Sequence, residues 1–277
     1  MDPADYDVDG PEDGQPIVFV HGTRLCRTMW RAQMDDLRDR YRVIALDLPG
    51  HGRLADRPFT VQDASDELAL AIEQAAGGRA VVVGLSLGGY VAMDLAARRP
   101  DLVRGLVLSS ATTEPIGPLA TPYLALAWVM DRFDGPTLDA VETWLFRKRY
   151  PPAIAESIVA GGFWSAGGAQ ALRAIVRERF APRLAAYPGP TLIINGDRDL
   201  LFRLQARTFA RAARDARRVR LRGATHLANL DRPLAFNHVV RRFLEGLPEP
   251  DPTPIRLAGD RRDGGPVLDL GDPPRVP

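Results

Sequence analysis

Five short runs of continuously apolar residues constrain this 277-residue chain more than any other feature. They are "PIVFV" (16–20), "RVIAL" (42–46), "AVVVG" (80–84), "GLVLS" (105–109) and "TLIIN" (191–195). A strand with one face in water alternates apolar and polar residues. A run that is apolar at every position is buried on both faces, as in a parallel sheet covered by helices. A sixth run, "RVRLR" (218–222), does alternate, which places it at a sheet edge. One more short strand is expected at "DYDV", ahead of the first run.

Helical patterns fill the intervals. Thr60 and Asp63 read as a capping box, followed by the stripe Ala64, Leu68, Ile72 and Ala75 and a stop at Gly77 and Gly78. The helix after Ser86 carries Val91 and Leu95 on one face and ends in Arg98, Arg99 and Pro100. Strands alternating with helices predict an α/β fold, a mostly parallel central sheet with helices on both faces.

The rhythm breaks over 112–187, where helical segments are separated by "TEPIGP", "DGPT" and "YPP" and no strand is legible. This stretch is read as a helical cap insertion, leaving 1–111 and 188–246 as the core. Residues 247–277, rich in Pro and Gly, are read as an extended tail.

Composition narrows the function. A net charge of +1 gives no electrostatic case for nucleic acid or an anionic membrane. The longest apolar stretch, Leu119 to Met130, falls short of the roughly 18 residues a membrane span needs. No basic and apolar leader pattern opens the chain. One cysteine excludes an intrachain disulfide, and no Cys/His cluster suggests a metal. A soluble, cytoplasmic protein is expected, with no nucleic-acid, membrane, metal or cofactor partner. Oligomeric state is not legible.

The chemistry centres on "GLSLG", with Ser86 between Gly84 and Gly88 at a strand-to-helix junction. Such a turn exposes the hydroxyl, its small neighbours relieve strand–helix crowding, and the helix N-terminus offers amides to an oxyanion. A serine nucleophile needs a base. Of four histidines, His21 and His51 precede the serine in turns and His238 lies inside a helical pattern. His226, in a loop after the last strand, is the best base. Asp197 and Asp199 in "INGDRD" follow the strand at 191–195, and the order Ser86, Asp199, His226 is that of a nucleophile, acid and base on this kind of sheet. Glu114 is a fallback acid.

Taken together, "IVFVHGTRLCRTMWRAQ", "YRVIALDLPGHGR", "VVVGLSLGGYVAM", "LIINGDRDLL" and "GATHLANLDRPLAFNHVVRRFL" resemble the α/β-hydrolase superfamily over about residues 5–246. The resemblance is to its serine-nucleophile branch of esterases, lactonases and haloperoxidase-like proteins. It implies Asp199 as the acid and the amides of Thr23 and Leu87 as the oxyanion hole, and Trp30 falls where the family often keeps a tryptophan. Ser86 argues against the branches that use an Asp nucleophile, and Leu54 stands where many relatives place a small polar residue.

The expected function is hydrolysis of a small to medium carboxylic ester, lactone or thioester through an acyl-enzyme. An acyltransferase, C–C bond hydrolase or cyclase on the same triad is one alternative, and a non-catalytic ligand-binding protein of this fold is another. Candidate pocket residues are Arg24, Cys26, Trp128, Trp144 and Trp164. For Arg24 a solvated loop position is favoured over recognition of an anion.

Overall fold

The computed structural model describes residues 6–133 and 135–247. All of the expected tail except Leu247 lies outside the described residues. Among the described residues seven strands form one sheet: β1 (Tyr6–Asp9), β2 (Gln15–Val20), β3 (Tyr41–Leu46), β4 (Ala80–Leu85), β5 (Val103–Ser109), β6 (Pro190–Gly196) and β7 (Asp215–Leu221). Their spatial order is β1-β3-β2-β4-β5-β6-β7. Only β1 is antiparallel to its neighbour, with Tyr6 opposite Leu46. β7 is an edge strand, and its alternation has a direct cause: Val219 and Leu221 are buried while Arg220 faces water.

The apolar runs divide residue by residue between two cores, because successive strand side chains point to opposite faces. Val18, Val20, Ile44 and Val82 join one core. Ile17, Phe19, Val43, Val81 and Val83 join the other. Helices α1 (Arg31–Leu37), α2 (Val61–Ala75) and α3 (Leu87–Arg98) follow the first strands. Leu68 and Ile72 of α2 and Val91 and Leu95 of α3 seal the first core, while Trp30 and Leu37 enter the second. Thr60 caps α2, its hydroxyl accepting the Asp63 amide at 3.0 Å.

Five helices lie between β5 and β6: α4 (Thr121–Arg132), α5 (Gly135–Arg149), α6 (Pro152–Gly161), α7 (Ser165–Ile175) and α8 (Ala181–Ala186). α4 packs on α7, and α5 on α6. α8 instead packs on α3, with Phe180 against Tyr90 at a ring-centroid distance of 4.4 Å. The last part of the 112–187 segment therefore sits in the helical layer of the sheet rather than above it. The remaining helices are α9 (Leu200–Arg203), α10 (Ala206–Ala212), α11 (Ala228–Asp231) and α12 (Pro233–Glu245). α12 closes the second core with Phe236, Val240 and Phe243. Among the described residues no helix is long and apolar enough to cross a membrane.

Candidate active site

Ser86 occupies the junction between β4 and α3 with φ 52° and ψ −114°, a conformation that L-residues rarely adopt. Holding a residue there costs about 1–3 kcal/mol, so the surroundings must enforce it. They do so by crowding. A Cβ at Gly84 would run into the Gly88 carbonyl, and one at Gly88 into the carbonyl oxygens of Val20 and His21. The Ser86 amide donates to Ser109 of β5 at 2.9 Å, and the Ser86 carbonyl accepts from Gly89 at 2.9 Å. The turn is thus fixed to the sheet on one side and to the helix on the other.

Leu87 is the first residue of α3, where backbone amides have no acceptor within the helix. The loop after β2 passes beside the serine: a Cβ on Gly22 would lie 3.6 Å from that of Ser86. Thr23 is the next residue along that loop. Both expected oxyanion residues therefore flank Ser86.

His226 follows β7, and its Nδ1 lies 3.4 Å from Oδ2 of Asp199, at the end of β6. Asp197 is engaged elsewhere, its carboxylate accepting the Gly223 amide at 2.8 Å. The His226 loop is held by Asp231, whose role nothing in the local sequence pattern signals. Asp231 accepts both the amide and the hydroxyl of Thr225 at 2.6 Å, and Arg149 and Tyr150 of the α5 end at 2.6 and 2.9 Å. Burial alone would raise the Asp231 carboxyl. The hydrogen bonds from Thr225, Arg149 and Tyr150 outweigh burial and hold it below the usual carboxylate range.

The other histidines serve the fold. His21 is fully buried, donates from Nδ1 to the Gly22 carbonyl at 2.9 Å and accepts the Leu48 amide on Nε2 at 2.9 Å. Burial pushes it down to about 4. His51, its ring 5.0 Å from that of His21, is pushed down to about 3 by burial and by that neighbour. His238 is exposed on α12. Glu114 caps α8, accepting the amides of Phe180 and Ala181 at 2.9 and 2.7 Å.

Ser86 and His226 line one cavity of about 470 Å³ beneath the inserted helices. Its apolar wall includes Tyr123, Leu126 and Met130 of α4, Phe146 of α5, Leu172 of α7, and Phe202. Arg24 also lines it but is not a solvated loop residue. It is buried with φ 65°, and its guanidinium pairs with Asp139 at 2.9 Å and Glu142 at 3.2 Å, both on α5. Burial and the nearby Asp139 raise the Glu142 carboxyl despite that pairing.

Four of the five pocket candidates do not line this cavity. Trp128 and Trp144 are 61% and 58% exposed and point out of the inserted helices. The reason is helical phase. The lining residues of α4 are 122, 123, 126 and 130, and those of α5 are 142, 146 and 149, each set one helix face. Trp128 and Trp144 stand two residues from their nearest lining neighbours, a rotation of about 200°. Cys26 is buried against Thr28 and the Gly161 carbonyl, with sulfur distances of 3.3 and 3.4 Å, and does not line this cavity; burial pushes its thiol up. Trp164 lines a different cavity. The 3.6-residue period of the α4 and α5 faces is the available signal for Leu126, Met130 and Phe146; aromatic type alone does not separate Tyr123 and Phe146, which line the cavity, from Trp128 and Trp144, which do not.

Residues 17–239 match the alpha/beta hydrolase family. The chain belongs to that family. This alpha/beta hydrolase is 30% identical over 256 residues to 2-(acetamidomethylene)succinate hydrolase of Mesorhizobium japonicum, covering 84% of this chain and 88% of the relative. Among solved structures it superimposes on a thermophilic esterase from Thermogutta terrifontis with a TM-score of 0.73, at 27% identity over 87% of this chain and 93% of that one. The enol-lactonase from Burkholderia xenovorans gives a TM-score of 0.70, at 27% identity over 87% and 95% of the two chains. The family assignment and the fold expected from the apolar runs agree.

Proposed function

We propose that this alpha/beta hydrolase is a serine esterase that cleaves a small to medium, uncharged carboxylic ester or lactone through an acyl-enzyme. One observation carries the reading: Ser86, in its left-handed turn, shares a cavity with His226, whose other ring nitrogen faces Asp199. His226 Nε2 takes the Ser86 proton as Oγ attacks the acyl carbonyl, and Asp199 holds the imidazole and stabilises its charged form. The amides of Thr23 and Leu87 receive the negative charge of the tetrahedral intermediate. Collapse of that intermediate releases the alcohol, which takes the proton from His226. A water then gives its proton to His226, attacks the acyl-enzyme and liberates the acid, and the proton returns to Ser86.

The uncharged substrate follows from the lining. The cations at the cavity, Arg24 and Arg149, pair within the protein to Asp139, Glu142 and Asp231. A substrate carboxylate would have to displace those partners, whereas an apolar arm meets Leu126, Met130 and Phe146. Relatives that act on esters and lactones support the same reaction class.

The test is labelling by a fluorophosphonate alongside turnover of p-nitrophenyl esters, on wild type and Ser86→Ala. Labelling and hydrolysis that both vanish in the variant are expected. Labelling of Ser86 without hydrolysis would replace the esterase reading with acyl transfer or C–C bond cleavage. Unchanged turnover in Ser86→Ala would remove the serine mechanism altogether.

A further inference from the structure

A second cavity, of about 550 Å³, lies against Met130 and Asp131 at the C-terminal end of α4. Its walls include Gly50, Phe163, Trp164 and Ala166. Among the described residues Met130 alone lines both cavities. It is 5% exposed, so its side chain is buried where it borders both cavities.

The position of Met130 relative to the reacting centre is set by a glycine. A Cβ at Gly168 would meet Met130 Sδ at 3.2 Å, Thr23 Cγ2 at 3.2 Å and Arg24 Cγ at 2.9 Å. The missing side chain at 168 therefore lets the thioether settle beside the loop that flanks Ser86. The second cavity is tied to the same loop, since the Trp164 amide donates to the Arg24 carbonyl at 2.8 Å. The two cavities thus share a wall, and the part of it made by a movable side chain is Met130. A methionine has three rotatable bonds, takes many shapes at low cost and leaves room when it swings.

We propose that Met130 is the specificity-determining partition of this site: it limits the length of the substrate's apolar arm, and the second cavity receives an arm long enough to pass it. The substrate class is an ester with one unbranched apolar chain, short chains ending at Met130 and longer ones threading beyond it. This rests on the esterase reading above.

The experiment is the ratio of kcat/KM for p-nitrophenyl laurate to that for the butyrate, in wild type, Met130→Ala and Met130→Ala/Ala166→Trp. Removing the partition lets several more methylenes leave water, so the ratio is expected to rise about tenfold or more in Met130→Ala. Ala166 is an exposed residue lining the second cavity, and a Trp there takes up its volume without touching the backbone at Met130. The double variant is expected to return towards the wild-type ratio. A ratio that stays level or falls in Met130→Ala overturns the partition, and so does a rise that survives the Trp. Should Met130→Ala fail to fold, Met130→Val carries the same test with a smaller rise. If no ester is turned over at all, the esterase reading fails separately. Calorimetric affinities of methyl ketones with the two chain lengths then decide the partition: the same preference shift in Met130→Ala supports it, and no shift overturns it.

Discussion

Asp199 and Asp197, two residues apart at the end of β6, do different work: Asp199 lies 3.4 Å from His226, and Asp197 accepts the amide of Gly223. The loop places one carboxylate against the imidazole and uses the other to close a turn. Asn at 199 keeps the shape but presents the wrong partner to the His226 N–H, so kcat is expected to fall on the order of 10³-fold or more. Asn at 197 is expected to lower kcat less than about tenfold. Steady-state kinetics on the two variants checks this; equal losses would assign the acid wrongly.

The turn at Ser86 depends on absent side chains. In Gly88→Ala the new Cβ meets the backbone carbonyls of Val20, the last residue of β2, and of His21 just beyond it, neither of which can yield easily. A loss of about 2 kcal/mol or more is expected in urea unfolding, with activity reduced even in the folded fraction. A neutral result would mean that β4 and α3 separate more easily than their packing indicates.

His21 and His51 couple stability to pH. Both are neutral when folded, with values of about 4 and about 3, whereas an unfolded histidine titrates near 6.5. As pH falls below 6.5 the unfolded chain therefore binds more protons than the folded one, and stability drops. The slope is at most about 1.4 kcal/mol per pH unit for each ring. Urea midpoints between about pH 7 and about pH 5 should decline accordingly, and His51→Gln should make that decline shallower.

Asp231 ties the His226 loop to the end of α5. Its folded carboxyl is held low, so its contribution is present above the unfolded value near 3.9 and is lost as pH falls through the folded one. In Asp231→Asn the bonds to Arg149 lose their charge, and about 1–3 kcal/mol of stability is expected to go. With the loop loosened, kcat/KM should drop about tenfold while Ser86 can still be labelled. Chemical denaturation and kinetics on one preparation separate the two effects; unchanged kinetics would mean that the loop is held without Asp231.

Some of this protein was decided by the sequence alone. Runs of continuously apolar or β-branched residues fit strands covered on both faces, and Gly84 and Gly88 around Ser86 announced a tight strand-to-helix turn. His226 could be chosen by elimination because only four histidines exist and the other three sit in turns or a helix. Local periodicity and backbone sterics act over a few residues, and these features needed nothing more. The cavity was different. Trp128 and Trp144 looked like pocket residues by type, yet helical phase and the packing of α4 on α7 and α5 on α6 turned them to water. Arg24 looked solvated until Asp139 and Glu142, more than a hundred residues later, were brought against it. Asp231 acquired its role only when the end of α5 reached the His226 loop. Which face of a helix is buried, and which distant charge meets which, depends on contacts between segments far apart in the chain, and only the tertiary structure decides those.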